Sequence, residues 1–153
     1  MKKATLISIK PEFMEKILSN SKTIELRKSA PKVVDGSIIV LYSSSPVKAI
    51  VGYCICDGII KASPKELWQE YNQEFGIDAK RYFEDFSAKE EAVGIRVKNV
   101  VRFPQPISLE LLRCIFPKFW PPQSYRYLSK AIIEHGLNVL NKNGYEIGRV
   151  QVA

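Results

Sequence analysis

The strongest constraint on the fold is a pair of apolar runs, Ser37–Tyr42 (SIIVLY) and Ala49–Asp57 (AIVGYCICD). Asp35-Gly36 precedes the first, and the small polar loop Ser43-Ser44-Ser45-Pro46 follows it. Runs this short, rich in branched residues and bounded by turn formers, read as strands. Gly52 inside the second run predicts a bulge or a sharp bend of the kind small barrels use, and Ile59-Ile60 extend the run beyond Gly58. Ala4–Ile9 reads as a first strand, and Lys22–Arg27 alternates, with Ile24 and Leu26 on one side and Thr23, Glu25 and Arg27 on the other. Ala92–Val97 and Asn99–Phe103 are two further strands, and Pro104 and Pro106 are expected to end the sheet region. The natural assembly is an α+β fold, a curled antiparallel or mixed sheet of five to six strands flanked by helices.

Helix signals fall between the strands. Pro11 suits a first helical turn, Phe13, Met14, Ile17 and Leu18 form one apolar stripe, and Asn20 can end the helix in the left-handed region. Ser63-Pro64-Lys65-Glu66 has the form of a capping box. Leu67, Trp68, Tyr71 and Phe75 line the helix it opens, and Gly76 stops it. A second short helix is expected over Asp78–Phe86. Ser108–Cys114 reads as a short helix and Phe116–Gln123 as an irregular aromatic stretch. Ser124 is expected to cap a final helix running to about Asn141, with Gly136 inside it. A length of 153 residues fits one domain, 1–153, with a helical insertion near 63–88 and a C-terminal helical extension near 108–153.

Charge and cysteines narrow the setting. The chain carries 23 Lys and Arg against 16 Asp and Glu, a formal charge of +7, with the basic residues dispersed. A surplus of this size suits a polyanion, through counterion release, and equally serves solubility. Cys54, Cys56 and Cys114 are odd in number and lack zinc-site spacing, which points to buried apolar thiols, a reducing compartment and a cytoplasmic location. No window approaches a membrane span, the basic start is cut short by Lys10-Pro11-Glu12, and neither a metal nor a cofactor is expected.

The string Asn20–Lys28 (NSKTIELRK), following a strand and a short helix, resembles the ASCH family of the PUA-like superfamily, whose mark is Gly-x-Lys-x-x-Glu-x-Arg after the first helix. Lys22, Glu25 and Arg27 match it, and Asn20 replaces the Gly while keeping the left-handed turn. DGSIIVLYSSSP and AIVGYCICD are similar to the family's next two strands, and PPQSYRYL (Pro121–Leu128) to a segment of longer members, so the resemblance spans Thr5–Leu128. It implies a small β-barrel with helices closing one end, a cleft between barrel and helices, and RNA binding. Some members of the wider group are ribonucleases and others hydrolyse acetylated nucleosides. In the latter a hydroxyl residue is expected where Glu25 stands here, which speaks against that activity.

The residues themselves allow a matching chemistry. Arg27 offers a planar fork for phosphate or a base edge, Glu25 can hold Arg27 or accept from an exocyclic amine, and Lys22 can meet a phosphate as a point charge. An ordinary surface ion pair between Glu25 and Arg27 is the plain alternative. Tyr42 at a strand end can stack a base, with Ser44 beside it for phosphate. Ser124, Tyr125 and Arg126 at a helix start would suit an anion; capping and packing explain them equally well. The candidate RNA contacts are thus Lys22, Thr23, Glu25, Arg27, Lys28, Tyr42, Ser44, Ser124, Tyr125 and Arg126. Lys22 with Ser124 or Thr23 is the candidate base and nucleophile pair. The reading is an RNA-binding domain. A metal-independent hydrolase acting on RNA, a nucleotide or a modified nucleoside, and a protein-interaction module, stand as alternatives.

Overall fold

The computed structural model describes residues 4–147. The chain runs β1 (Ala4–Ile9), α1 (Pro11–Leu18), β2 (Ile24–Arg27), β3 (Ile38–Ser43), β4 (Ala49–Ala62), α2 (Pro64–Tyr71), α3 (Ala79–Phe86), β5 (Ala92–Ser108), α4 (Leu109–Ile115), β6 (Tyr125–Leu128) and α5 (Lys130–Lys142). The strands form one mixed sheet in the order β2-β5-β4-β3-β1-β6. Only β1 and β3 pair in parallel. The sheet curls into a half-barrel.

The curl has a local cause. The β4–β5 ladder shifts register at Ile50/Gly52, Tyr53/Ile55 and Cys56/Ile59, and each irregularity adds bend and twist. Gly52 is required at the first of them, because a Cβ there would collide with the Val101 carbonyl oxygen. Asn99 takes a φ of +52° within β5, opposite the second shift, at Tyr53/Ile55.

Two sequence expectations are corrected here. Pro104 and Pro106 do not end the sheet: β5 runs 17 residues through both, and Ile50 and Ala49 pair with Ile107 and Ser108 beyond them. β2 covers the far edge of β5 only at Val93–Arg96, so past that point the outward positions need no ladder N–H and proline is tolerated. Ser124 does not cap a helix either. Tyr125–Leu128 adds to the edge of β1, Leu6 facing Arg126. The helix begins at Lys130, capped by Ser129, whose hydroxyl accepts the Ile132 N–H at 3.2 Å. The Tyr-Arg-Tyr-Leu run favours a strand, and β1 offers an edge whose groups it satisfies. The stretch 108–153, expected as a helical extension, therefore contains a strand, and residues 148–153 of it lie outside the described part.

Three apolar clusters hold the layers together. Ile7, Met14, Ile17, Leu41, Cys54 and Ile95 pack between the sheet and α1. Leu6, Ile50, Phe103, Leu112 and Leu140 pack beneath α4 and α5. An apolar cavity of about 500 Å³ lies in that second layer, lined by Leu6, Phe103, Phe116 and Leu137 among others. The third cluster fills the helical segment between β4 and β5. There Ser63 caps α2 by accepting the Glu66 N–H at 3.3 Å, and the rings of Trp68, Phe75, Tyr82 and Phe86 stack against one another. α2 stops at Tyr71; a 3-10 turn at Asn72–Glu74 carries the chain to Phe75, and Gly76 reverses it at a φ of +64°. Cys54 and Cys56 are buried, as expected, and burial pushes the Cys54 thiol up. Cys114 is exposed on α4, contrary to expectation. Among the described residues no helix is long and apolar enough to cross a membrane.

Candidate functional site

The curled sheet leaves its ends, β2 on one side and β1 with β6 on the other, facing a common polar cleft of about 390 Å³. Ser8 and Ile9 of β1, Lys22, Glu25, Leu26 and Arg27, the Pro122-Gln123 segment and Arg81 and Asp85 of α3 form its walls.

The floor is set by the turn after α1. Asn20 adopts a φ of +62°, the left-handed region that asparagine tolerates. The Ser21 and Lys22 amides then both bond the Lys16 carbonyl, at 2.9 and 3.0 Å. That reversal turns the Lys22 side chain inward, where the residue is only 2% exposed. Its Nζ donates to the Phe75 carbonyl at 2.6 Å and lies 3.6 Å from Glu25 Oε1, with the Phe13 ring centroid at 5.6 Å. Burial lowers the Lys22 pKa, and the Glu25 carboxylate opposes the shift. Lys22 therefore belongs to the cleft floor, its amine held by the Phe75 carbonyl and close to Glu25.

From Lys22 a charged chain leads outward. Glu25 Oε2 accepts from Arg27 Nη2 at 3.0 Å. The same Nη2 donates to the Ser8 carbonyl at 2.8 Å, and Nη1 donates to Ser124 Oγ at 3.1 Å. Arg27 thus ties β2 to β1 and to the approach to β6, closing the seam of the half-barrel with a side chain. Its Nε–H is buried and has no hydrogen-bond partner among the described residues. An unmet buried donor of this kind is costly.

The other sequence-predicted residues divide. Ser44 lines the cleft, its amide bonded to the Ile9 carbonyl at 3.0 Å. Ser124 stands at the seam on Arg27, so its partner is the guanidinium and not Lys22. Thr23 faces away toward the helical segment, its hydroxyl donating to Glu74 Oε1 at 3.0 Å. Neither hydroxyl makes a hydrogen bond to the Lys22 amine, so the expected base and nucleophile pairs are not assembled. Lys28 is exposed just past β2. Tyr125 and Tyr127 sit on β6 with ring centroids 5.7 Å apart, and the Tyr127 hydroxyl accepts the Lys32 amide. Arg126 leans over the Phe119 ring at 5.7 Å.

Tyr42 needs a correction as a base-stacking residue. It is 1% exposed, packed with Leu6, Ile50 and Phe103, so its ring has no free face for a base. Its hydroxyl has no hydrogen-bond partner among the described residues, and burial raises its pKa while Arg113 opposes.

Two contributors were missed in the sequence. Ser8 acts through its backbone carbonyl, which any residue carries, so no side-chain signal marks it. Arg81 projects from α3 onto the Phe13 ring at 4.7 Å and bonds Glu12 at 2.8 Å; only the tertiary docking of that helix brings it to the cleft.

Comparison with known proteins fits this geometry. A family model described as the ASCH domain matches residues 7–101. An ASCH domain-containing ribonuclease from Zymomonas mobilis is 31% identical over 129 residues, covering 84% of this chain and 86% of that protein. The crystal structure of ASCH from Zymomonas mobilis superposes with a TM-score of 0.83 at 29% identity, over 89% of this chain and 94% of that one. A variant of the Zymomonas mobilis protein with a serine replaced by alanine matches at a TM-score of 0.83 and 28% identity, over 90% of this chain and 96% of that one. The N-terminal domain of McrB from Staphylothermus marinus matches at 0.59 with 13% identity, over 86% of this chain and 91% of that one, a likeness of fold alone.

Proposed function

The chain belongs to the ASCH domain family, and from that premise we propose that it binds single-stranded RNA in the polar cleft and cleaves it as a ribonuclease. The observation that carries the binding half is Arg27. Its guanidinium is fixed by three acceptors, and Arg27 lines a cleft of about 390 Å³ together with Lys22 and Gln123. A preorganised fork of this kind suits a phosphodiester oxygen and the charge that grows on it during transfer. The Ser124 hydroxyl, oriented by Nη1, is the adjacent group able to donate to the same phosphate. Lys22 and Glu25 position Arg27 from behind.

The cleavage half rests on the Zymomonas mobilis relative that is named a ribonuclease, 86% of which the match covers. The free thiols of Cys54, Cys56 and Cys114 suit a reducing cytoplasm as the place of the encounter. Labelled single-stranded RNA incubated with the protein in the presence of a chelator tests both halves. Binding and cleavage are expected from the wild type. Arg27→Lys keeps the charge but loses the fork and is expected to weaken both about 10-fold or more, whereas Ser124→Ala should lower cleavage more than binding. Binding without any cleavage would leave an RNA-binding module, and no association at low salt would sink the proposal altogether.

A further inference from the structure

Outside the cleft, the segment between α4 and β6 carries the most exposed large apolar side chain among the described residues: Trp120 is 71% exposed. Its neighbour Phe119 is buried, at 8%. The indole is held in place. The Arg113 guanidinium lies 5.0 Å from its ring centroid, and Arg113 Nε donates to the Phe119 carbonyl at 3.3 Å. On the other flank Arg126 stacks over the Phe119 ring and reaches the Trp120 carbonyl at 3.5 Å. Farther along, Ser8 pins the segment to β1. Its hydroxyl donates to the Pro122 carbonyl at 2.6 Å and its amide to the Ser124 carbonyl at 3.0 Å.

We propose that Trp120, flanked by Arg113 and Arg126, is a stacking platform for a base of single-stranded RNA next to the phosphate held in the cleft. The inference rests on the RNA reading of the cleft and extends it. Pro122 and Gln123 line the cleft, so Trp120 is separated from it by roughly 7 Å of chain at most. An exposed indole offers a π-face to any base, and two guanidiniums beside it attract the backbone that carries the base. Such a platform selects for an unpaired strand, because a base within a duplex has no free face to offer.

The test compares two ligands, a dinucleotide that fills only the cleft and an oligouridylate of about eight nucleotides. Trp120→Ala is expected to weaken the longer RNA roughly 5- to 100-fold while leaving the dinucleotide unchanged, with Trp120→Phe close to wild type. Titration with the longer RNA should also quench a fluorescence component that Trp120→Phe lacks, Trp68 being the only other tryptophan. Equal affinity of wild type and Trp120→Ala for the longer RNA, with Arg27→Lys still weakening both ligands, would overturn the platform and leave the cleft reading intact. Loss of self-association in Trp120→Ala with unchanged RNA affinity would overturn it too, in favour of a contact between copies. If neither RNA binds, both readings fall.

Discussion

At the scale of single residues, Glu25 is the side chain on which the site depends. It is 8% exposed and lies between two cations, Lys22 Nζ at 3.6 Å and Arg27 Nη2 at 3.0 Å. Removing one partner of a buried ionic group leaves uncompensated charge, which costs about 3 kcal/mol or more. Glu25→Ala is therefore expected to lose about that much stability in urea titration; a loss near zero would mean the three groups are wetter than described. Lys22 gives a second prediction with a defined sign. Its folded-state pKa is below the ordinary lysine value, so over the interval between the two the unfolded chain holds more protons than the folded one. Stability contributed by this group must then rise with pH across that interval. The stability of the wild type minus that of Lys22→Met is expected to climb as the pH rises toward the ordinary lysine value of about 10.5, and parallel curves would contradict it. The residue pattern NSKTIELRK displayed Glu25 beside Arg27 on one strand face. It could not display the depth of Lys22, which follows from a turn at Asn20 and a carbonyl contributed by Phe75, far along the chain.

At the scale of elements, the sheet owes its curl to a strand that is irregular on purpose. Gly52→Ala is expected to cost about 3 kcal/mol or more, because the new methyl meets a backbone carbonyl that cannot step aside without breaking the β4–β5 ladder. Chemical denaturation with circular dichroism would measure it, and a shift below about 1 kcal/mol would show that the bend lies elsewhere. The strands β1, β3 and β4 were readable because apolar alternation and turn residues agree over their whole length. The end of β5 beyond Phe103, and β6, were not, for opposite reasons. Proline reads as a stop, yet an edge without a neighbour tolerates it. Ser124 reads as a cap, yet the residues after it pair with β1, a contact with a partner more than a hundred residues away that no local pattern encodes. Ser129, a few positions on, is the cap that chain geometry uses.

At the scale of the whole molecule, the surplus of +7 is a dispersed field more than a site. Several cations are already engaged at the surface, Arg102 with Glu15 and Lys98 with Asp57 among them. If about three phosphates are neutralised, affinity for single-stranded RNA should fall roughly 20-fold between about 50 and 200 mM salt. Removing Arg27 should flatten the log–log slope by about 0.7. Fluorescence anisotropy across a salt series reads both numbers, and a salt-independent affinity would point to recognition by stacking alone.

The side chain that closes the seam has a thermodynamic consequence. Arg27 joins the two ends of the sheet through its bonds to Ser8 and Ser124, so on the reading proposed above a phosphate held at the same guanidinium bears on those bonds as well. Occupancy of the cleft and attachment of the β6 edge are then linked equilibria, and linkage is reciprocal. Whatever free energy the ligand takes from the seam, a change that tightens or loosens β6 against β1 must return as the same factor in affinity. If the cleft holds RNA as proposed, substitutions at the outer edge of the sheet, with no contact to the ligand, are expected to tune its affinity.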